Sequence, residues 1–263
     1  MRTPASCTAA HPGRAAARPG RCCRGGWIML GAALLAGTAW AGPFDGPFSF
    51  GGQFALTSDY IYRGLSESNG NPALQGDLHV SEGGMFAGVW ASTRDSDLIP
   101  YAKYDLEIYL GKRFDLGTEW SASASARSHY FLNSSGLSDD YQEISASIAW
   151  LDRWTFSVSA IPNAVRWYGY TRLGRAPAWV AETSAQWLIY GGLFVTGGAG
   201  YYYASSVANE PGAGYVYGNA GLAFEYRQWR LEVGYYFAQN EAQEMFPYPP
   251  LNRHVAGTVS WRF

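Results

Sequence analysis

Cysteine is nearly missing from this 263-residue chain, and the three present, Cys7, Cys22 and Cys23, all precede residue 24. Beyond them disulfides and thiolate metal sites are excluded, and none follows an apolar run as a lipoprotein anchor would. Charge is sparse, at 15% of residues, and after residue 41 no cluster of lysine and arginine offers a surface to nucleic acid. After residue 41 there is no run of 18 apolar residues, so the remaining chain can span a membrane only with strands. A G-x-S-x-G elbow is lacking, as is a glycine-rich loop opening a helix, which removes the usual signatures of a hydrolase and of a nucleotide site.

What is present begins with an export signal. Arg2, Arg14, Arg18, Arg21 and Arg24, with no acid among them, precede the apolar run 27–35, and Ala39-Trp40-Ala41 has the small-x-small form of a cleavage site. Residues 1–41 are therefore expected to be a signal peptide, removed after Ala41, and the lack of an Arg-Arg pair favours the general secretory route. The mature chain, 42–263, holds all 21 acids and 14 of the 19 bases, a formal charge of −7. Its aromatic and glycine content suits short strands and tight turns better than helices.

The stretch 253–263 sets the pattern for the whole. Val255, Gly257, Val259, Trp261 and Phe263 share one face, and His254, Ala256, Thr258, Ser260 and Arg262 the other. A terminal Phe after such alternation resembles the closing strand of bacterial outer-membrane barrels, which the barrel assembly machinery reads; Phe263 and Trp261 are thus expected to be an assembly signal. The same template fits 48–63, read as one strand of about 16 residues, and then 73–81, 84–92, 102–112, 118–132, 141–150, 153–162, 178–189, 192–203, 214–226 and 229–238. The count predicts an all-β, antiparallel, up-and-down transmembrane barrel of about 12 strands, an even number as in bacterial barrels. Lipid-facing sets include Leu74/Leu78/Val80, Phe86/Trp90, Leu106/Ile108/Leu110 and Leu231/Val233/Tyr235.

Connections support the same reading. Short ones at 82–84, 113–117, 151–153, 190–192 and 227–228 alternate with long ones at 64–72, 93–101, 133–140, 163–177, 204–213 and 239–252. Periplasmic turns are short and external loops long, with both chain ends in the periplasm. Trp120, Trp150, Trp154, Trp187, Trp229, Trp261 and Phe263 fall beside short turns, and Tyr60, Tyr62, Trp90, Tyr130 and Trp179 near long loops, as two interfacial girdles would require.

Alternation also sorts charge into a lumen. Asp59, Arg63, Asp77, Lys103, Asp105, Glu107, Arg127, Glu143, Glu182, Glu225, Arg230 and Glu232 are the candidate lining residues, implying either a wet channel or a lumen plugged by ion pairs. With Arg63 and Lys103 as the only local counter-charges, Asp59, Asp77, Asp105 and Glu107 would leave about −2 at one mouth, a weak preference for cations. His79, His129 and His254 fall inward too, but their spacing is no metal-ligand pattern, so neither metal nor cofactor is expected. His129 beside the many serines (Ser121, Ser123, Ser125, Ser145, Ser147) is a weak argument for a barrel-embedded lipase, and small lumen filler explains those serines better.

The blocks TSDYIYRGLSES (57–68), NPALQG (71–76) and GMFAGVWAS (84–92), followed by DLEIYLG (105–111) and DDYQE (139–143), resemble the TorF-type porin family, also described as the Gcw_chp family of proteobacterial outer-membrane proteins. That family's Glu-then-Asp order is reversed here as Asp105 then Glu107, with the charge kept. The resemblance implies an outer-membrane location and a porin-like role, and it carries over no catalytic or binding residue. The expected function is passive diffusion of small hydrophilic solutes across a Gram-negative outer membrane, and no enzyme activity. The alternative is a closed structural or adhesive barrel acting through external loops. Expected partners are outer-membrane lipid and lipopolysaccharide, and the assembly machinery and periplasmic chaperones during biogenesis.

Overall fold

The computed structural model describes residues 48–94, 102–132, 139–168, 171–246 and 251–263. The expected leader, 1–41, lies outside them. In chain order come β1 (Ser49–Thr57), a detached pair β2 (Ile61–Tyr62) and β3 (Leu65–Ser66), then β4 (Ala73–Glu82), β5 (Met85–Thr93), β6 (Tyr104–Asp115), β7 (Trp120–Leu132), β8 (Tyr141–Trp150), β9 (Trp154–Tyr168), β10 (Thr171–Tyr190), β11 (Leu193–Ala204), β12 (Ala213–Tyr226), β13 (Trp229–Ala238), the short helix α1 (Glu241–Met245) and β14 (Arg253–Arg262). All except β2, β3 and α1 join one closed antiparallel barrel in the order β1-β14-β13-β12-β11-β10-β9-β8-β7-β6-β5-β4. The twelve-stranded wall expected from alternation is the wall that forms.

Why it is a barrel follows from where the apolar side chains point. Leu56 lies opposite Val259, Ile108 opposite Val89, and Leu222 opposite Val233, so apolar pairs meet across the seams on the outer face. Phe54, Leu56, Leu74, Ile108, Phe156, Leu231 and Val255 all remain exposed there. In water such a band would far exceed the few hundred Å² a soluble surface tolerates, whereas lipid solvates it. Closure leaves no open edge, which a membrane-spanning sheet requires. At the closing seam Gly52 N–H donates to Phe263 O and Phe263 N–H to Gly52 O, at 3.0 and 3.1 Å. A Cβ on Gly52 would stand 2.6 Å from the Phe263 ring, so only glycine admits that ring. Phe263 stacks on Phe54 and Trp261.

The turns at one end are as tight as their sequences suggest. Gly83 and Gly84 both take positive φ, 55° and 82°, the mirror-image geometry that matches strand twist. At the other end three expectations are corrected. The first strand stops at Thr57, and the rest of the stretch read as one 16-residue strand leaves the wall. The described residues of the loop expected at 163–177 are instead strand: β9 runs on to Tyr168 and β10 starts at Thr171, paired with register shifts between Arg172/Gly174 and Ala176/Ala178. And β5 faces the opposite way. Met85 and Val89 are exposed at 49% and 41%, while Phe86 and Trp90 turn inward. The inward aromatics of β5 have somewhere to go: Phe86 packs on Tyr109, Trp90 on Tyr60, and Gly88 leaves room for the Tyr109 hydroxyl, which would meet a Cβ at 2.5 Å.

The packed core lies inside the barrel at the long-loop end. It comprises Leu65 of β3, Ile161, Val180, Tyr202, Tyr215 and Tyr217 from the wall, and Ala242 and Met245 of α1.

Candidate functional site

The site is built by the segment that departs from β1. Ser58 makes the last wall contacts, donating its N–H to Gly257 O and accepting the Gly257 N–H on Oγ. Thr57 Oγ donates to Asp59 O, and the chain then turns into the lumen. Asp59 holds the segment together: its Oδ1 accepts from Ser66 Oγ at 2.5 Å and Ser68 Oγ at 2.9 Å, and Ser68 Oγ accepts the Tyr60 N–H. Tyr60 O accepts the Glu67 N–H. The block S-D-Y-I-Y-R-G-L-S-E-S (58–68) thus encodes a self-bonded tongue, with Asp59 bracing the two serines that flank Glu67.

At the tip, Arg63 and Gly64 both adopt positive φ, 49° and 79°, linking β2 to β3 in two residues. A Cβ on Gly64 would lie 2.5 Å from Phe237 O and 2.7 Å from Tyr217 Cβ, so the tip rests on the wall at β12 and β13. Left-handed backbone is uncommon for arginine and needs support from its surroundings. Arg63 has it: its guanidinium donates to Glu143 of β8 at 2.7 Å and lies over the rings of Tyr62 and Tyr202. Tyr60 donates to Asp105 of β6 at 3.1 Å, Tyr141 donates to the Tyr62 hydroxyl, and Arg94 at the end of β5 pairs with Glu67. Wall strands on opposite sides of the lumen hold the tongue.

Beneath it the β6–β8 wall carries an ionic layer. Arg127 reaches Glu107 at 3.1 Å, and His129 stacks on Tyr141 with ring centroids 4.1 Å apart. Asp77 of β4 accepts from Tyr109 at 2.7 Å and contacts His79, and Tyr217 donates to Glu182. Toward the short turns the lining changes to small hydroxyls, with Ser123 and Ser147 paired, as are Ser145 and Ser159. Arg230 gathers Glu225 and Glu232 at 2.7 and 2.9 Å, and Arg262 joins Gln53 and Glu225.

Above the tongue, on the loop side, is a half-open cleft lined by Tyr62, Phe131, Tyr141, Trp167, Tyr202, Tyr215 and Phe246, with Arg63, Arg94, Glu67, Asp105 and Asp139. Its empty space, open solvent included, is about 720 Å³. Near its rim burial pushes the Asp139 carboxyl above its ordinary value, opposed by Arg172, whose Nε lies 3.4 Å away.

Several placements differ from expectation. Asp59 and Arg63 belong to the tongue and not to the wall. Lys103 is exposed just ahead of β6 and is not the counter-charge expected there; Arg94 and Arg127 stand beside Asp105 and Glu107 instead. Tyr60, Tyr62 and Trp90 are inside the barrel, not in a rim girdle. Sequence reasoning missed Glu67, Arg94, Tyr141, Tyr202 and Tyr215. Only the resemblance block pointed near them, because Glu67 and Arg94 fell in stretches read as external loop.

A family model described as "Bacterial protein of unknown function (Gcw_chp)" matches residues 41–246. Among solved structures, the NanC porin aligns with TM-score 0.52 at 11% identity, covering 81% of this chain and 98% of that one. An outer-membrane channel from Pseudomonas putida F1 aligns with TM-score 0.44 at 10% identity, covering 81% and 93%. OmpF of Salmonella typhi aligns with TM-score 0.43 at 8% identity, covering 82% and 97%. At 11% identity the NanC likeness shows the fold. No curated protein matches the sequence.

Proposed function

The chain belongs to the Gcw_chp family of bacterial proteins of unknown function, and we propose that it is an outer-membrane, porin-like channel for small hydrophilic solutes whose bore is set by the tongue. One observation carries this: a closed wall that is apolar outside around its circumference encloses hydroxyls and charges, and among the described residues the tongue, with α1 packed beside it, narrows the loop end. The solute enters from the aromatic cleft, and the serine-lined half leads to the turn side. A bilayer recording tests the reading. Small resolved steps from the folded protein, enlarged when 60–68 is replaced by a Gly-Ser linker, are expected; no steps from either protein would overturn it.

The tongue also favours a second reading, a barrel closed as folded that acts through its loops. Steps seen only in the tongue-replaced protein would select that one. In either case the outer face meets outer-membrane lipid and lipopolysaccharide, and Phe263 with Trp261 serves the assembly machinery. Deleting Phe263 should lower the heat-modifiable, membrane-inserted protein without reducing export.

A further inference from the structure

Asp105, Glu107 and His129 are brought together by strand register. Asp105 and Glu107 stand two residues apart on β6, hence on one face, and His129 on β7 is the direct cross-strand partner of Glu107. All three are buried, and one ligand atom of each lies within 4.8 Å of the others. Three atoms here have no hydrogen-bond partner: Asp105 Oδ1, Glu107 Oε1 and His129 Nε2. Asp105 Oδ1 and Glu107 Oε1 are buried acceptors left unpaired, which is costly, and they call for a cation; His129 Nε2 instead faces Glu143 Oε2, 4.0 Å away, which leaves Nδ1 as the nitrogen toward Glu107.

Charge gives that ligand its sign. Glu67, Asp105, Glu107 and Glu143 face Arg63, Arg94 and Arg127, four negative groups against three positive. Arg94 and Arg127 approach Asp105 Oδ2 and Glu107 Oε2, and leave Oδ1 and Oε1 to the cluster. His129 Nδ1 lies 3.3 Å from Glu107 Oε1. Two ligands about 2.1 Å from a shared tetrahedral ion stand roughly 3.4 Å apart, so this spacing needs little adjustment. Two carboxylates and an imidazole suit a borderline divalent ion; calcium and magnesium prefer all-oxygen sites, and copper(I) prefers sulfur.

We propose that Asp105, Glu107 and His129 bind one divalent transition cation of the zinc or manganese type, set in the wall directly behind the tongue. Tyr60 bonds the other oxygen of Asp105, so the ion fixes the strand pair to which the tongue is anchored. The site stands whether or not the barrel conducts.

The test uses the full chain, folded in detergent, stripped with EDTA and titrated with Zn²⁺ alone. One zinc per chain is expected by elemental analysis after gel filtration. The midpoint of the heat-induced gel shift should rise with Zn²⁺ and not with Mg²⁺, since a ligand that binds only the folded state stabilises it. Asp105→Asn and His129→Gln should each weaken binding at least as much as the roughly 10–100-fold that loss of a supporting partner costs. His79→Gln, at a different histidine, should leave binding unchanged. If either cluster variant fails to fold, Co²⁺ added to the wild type decides, through visible absorption of a nitrogen- and oxygen-ligated ion. No zinc in folded wild type, equal zinc in all variants, or loss only with His79→Gln would each overturn the proposal.

Discussion

The two ends of this lumen share one wall, one alternation and one strand count, yet they are filled differently. Toward the loops, a short hairpin crosses the bore and is held by Arg63–Glu143, Tyr60–Asp105 and Arg94–Glu67, with Leu65 packed among Tyr202, Tyr215 and Tyr217. Toward the turns, serines pair across strands and one arginine gathers two glutamates. Strand number sets the width of the wall, but residues that leave the wall set how much of it is open. The restriction here is therefore local and separable.

Removing it is the strongest way to break the comparison. Replacing 60–68 with a flexible linker should make the loop end resemble the turn end and raise single-channel conductance several-fold, read in a planar bilayer. Next in size, Arg63→Ala leaves Glu143 buried beside His129 without its main partner, and breaking a buried pair costs about 3–5 kcal/mol. Urea unfolding from lipid vesicles should show that loss, while Arg230→Ala at the more exposed turn-end cluster should lose less. Ile108→Arg, on the outer face, should cost about 2–4 kcal/mol in the same assay, whereas Ser123→Arg inside the turn half should be tolerated and lower conductance. The smallest effect is expected from Ser68→Ala, which removes one hydroxyl from the Asp59 knot at about 1 kcal/mol. Noisier open-channel current, with folding intact, would report the loosened tongue.

Legibility in the sequence divides along the same line. The wall could be read because a barrel strand has an apolar side and a polar side, and β6 through β14 show both plainly in sets such as Leu106/Ile108/Leu110 and Leu231/Val233/Tyr235. The tongue could not, because Ser58, Tyr60 and Tyr62 continue the two-residue period of β1 after the chain has left the sheet. Alternation records that two faces differ, and does not say what each one meets. On β5 the larger residues, Phe86 and Trp90, suggested lipid, but tyrosines from the tongue and from β6 give them an apolar surface inside. The ionic cluster behind the tongue was half visible: Asp105 and Glu107 share a face by spacing alone, and only the pairing of β6 with β7 adds His129.

The closing seam has a consequence for the order of events. Thr57 and Thr258 are joined side chain to side chain across 201 positions, and Gly52 is bonded to Phe263. Contacts between residues so far apart in sequence form late and slowly, because much chain entropy is lost before they return any energy. The tongue leaves the wall beside this seam, and its tip meets Phe237, far along the chain. The plug and the ring are thus completed together, and the lumen is narrowed from the moment the sheet closes.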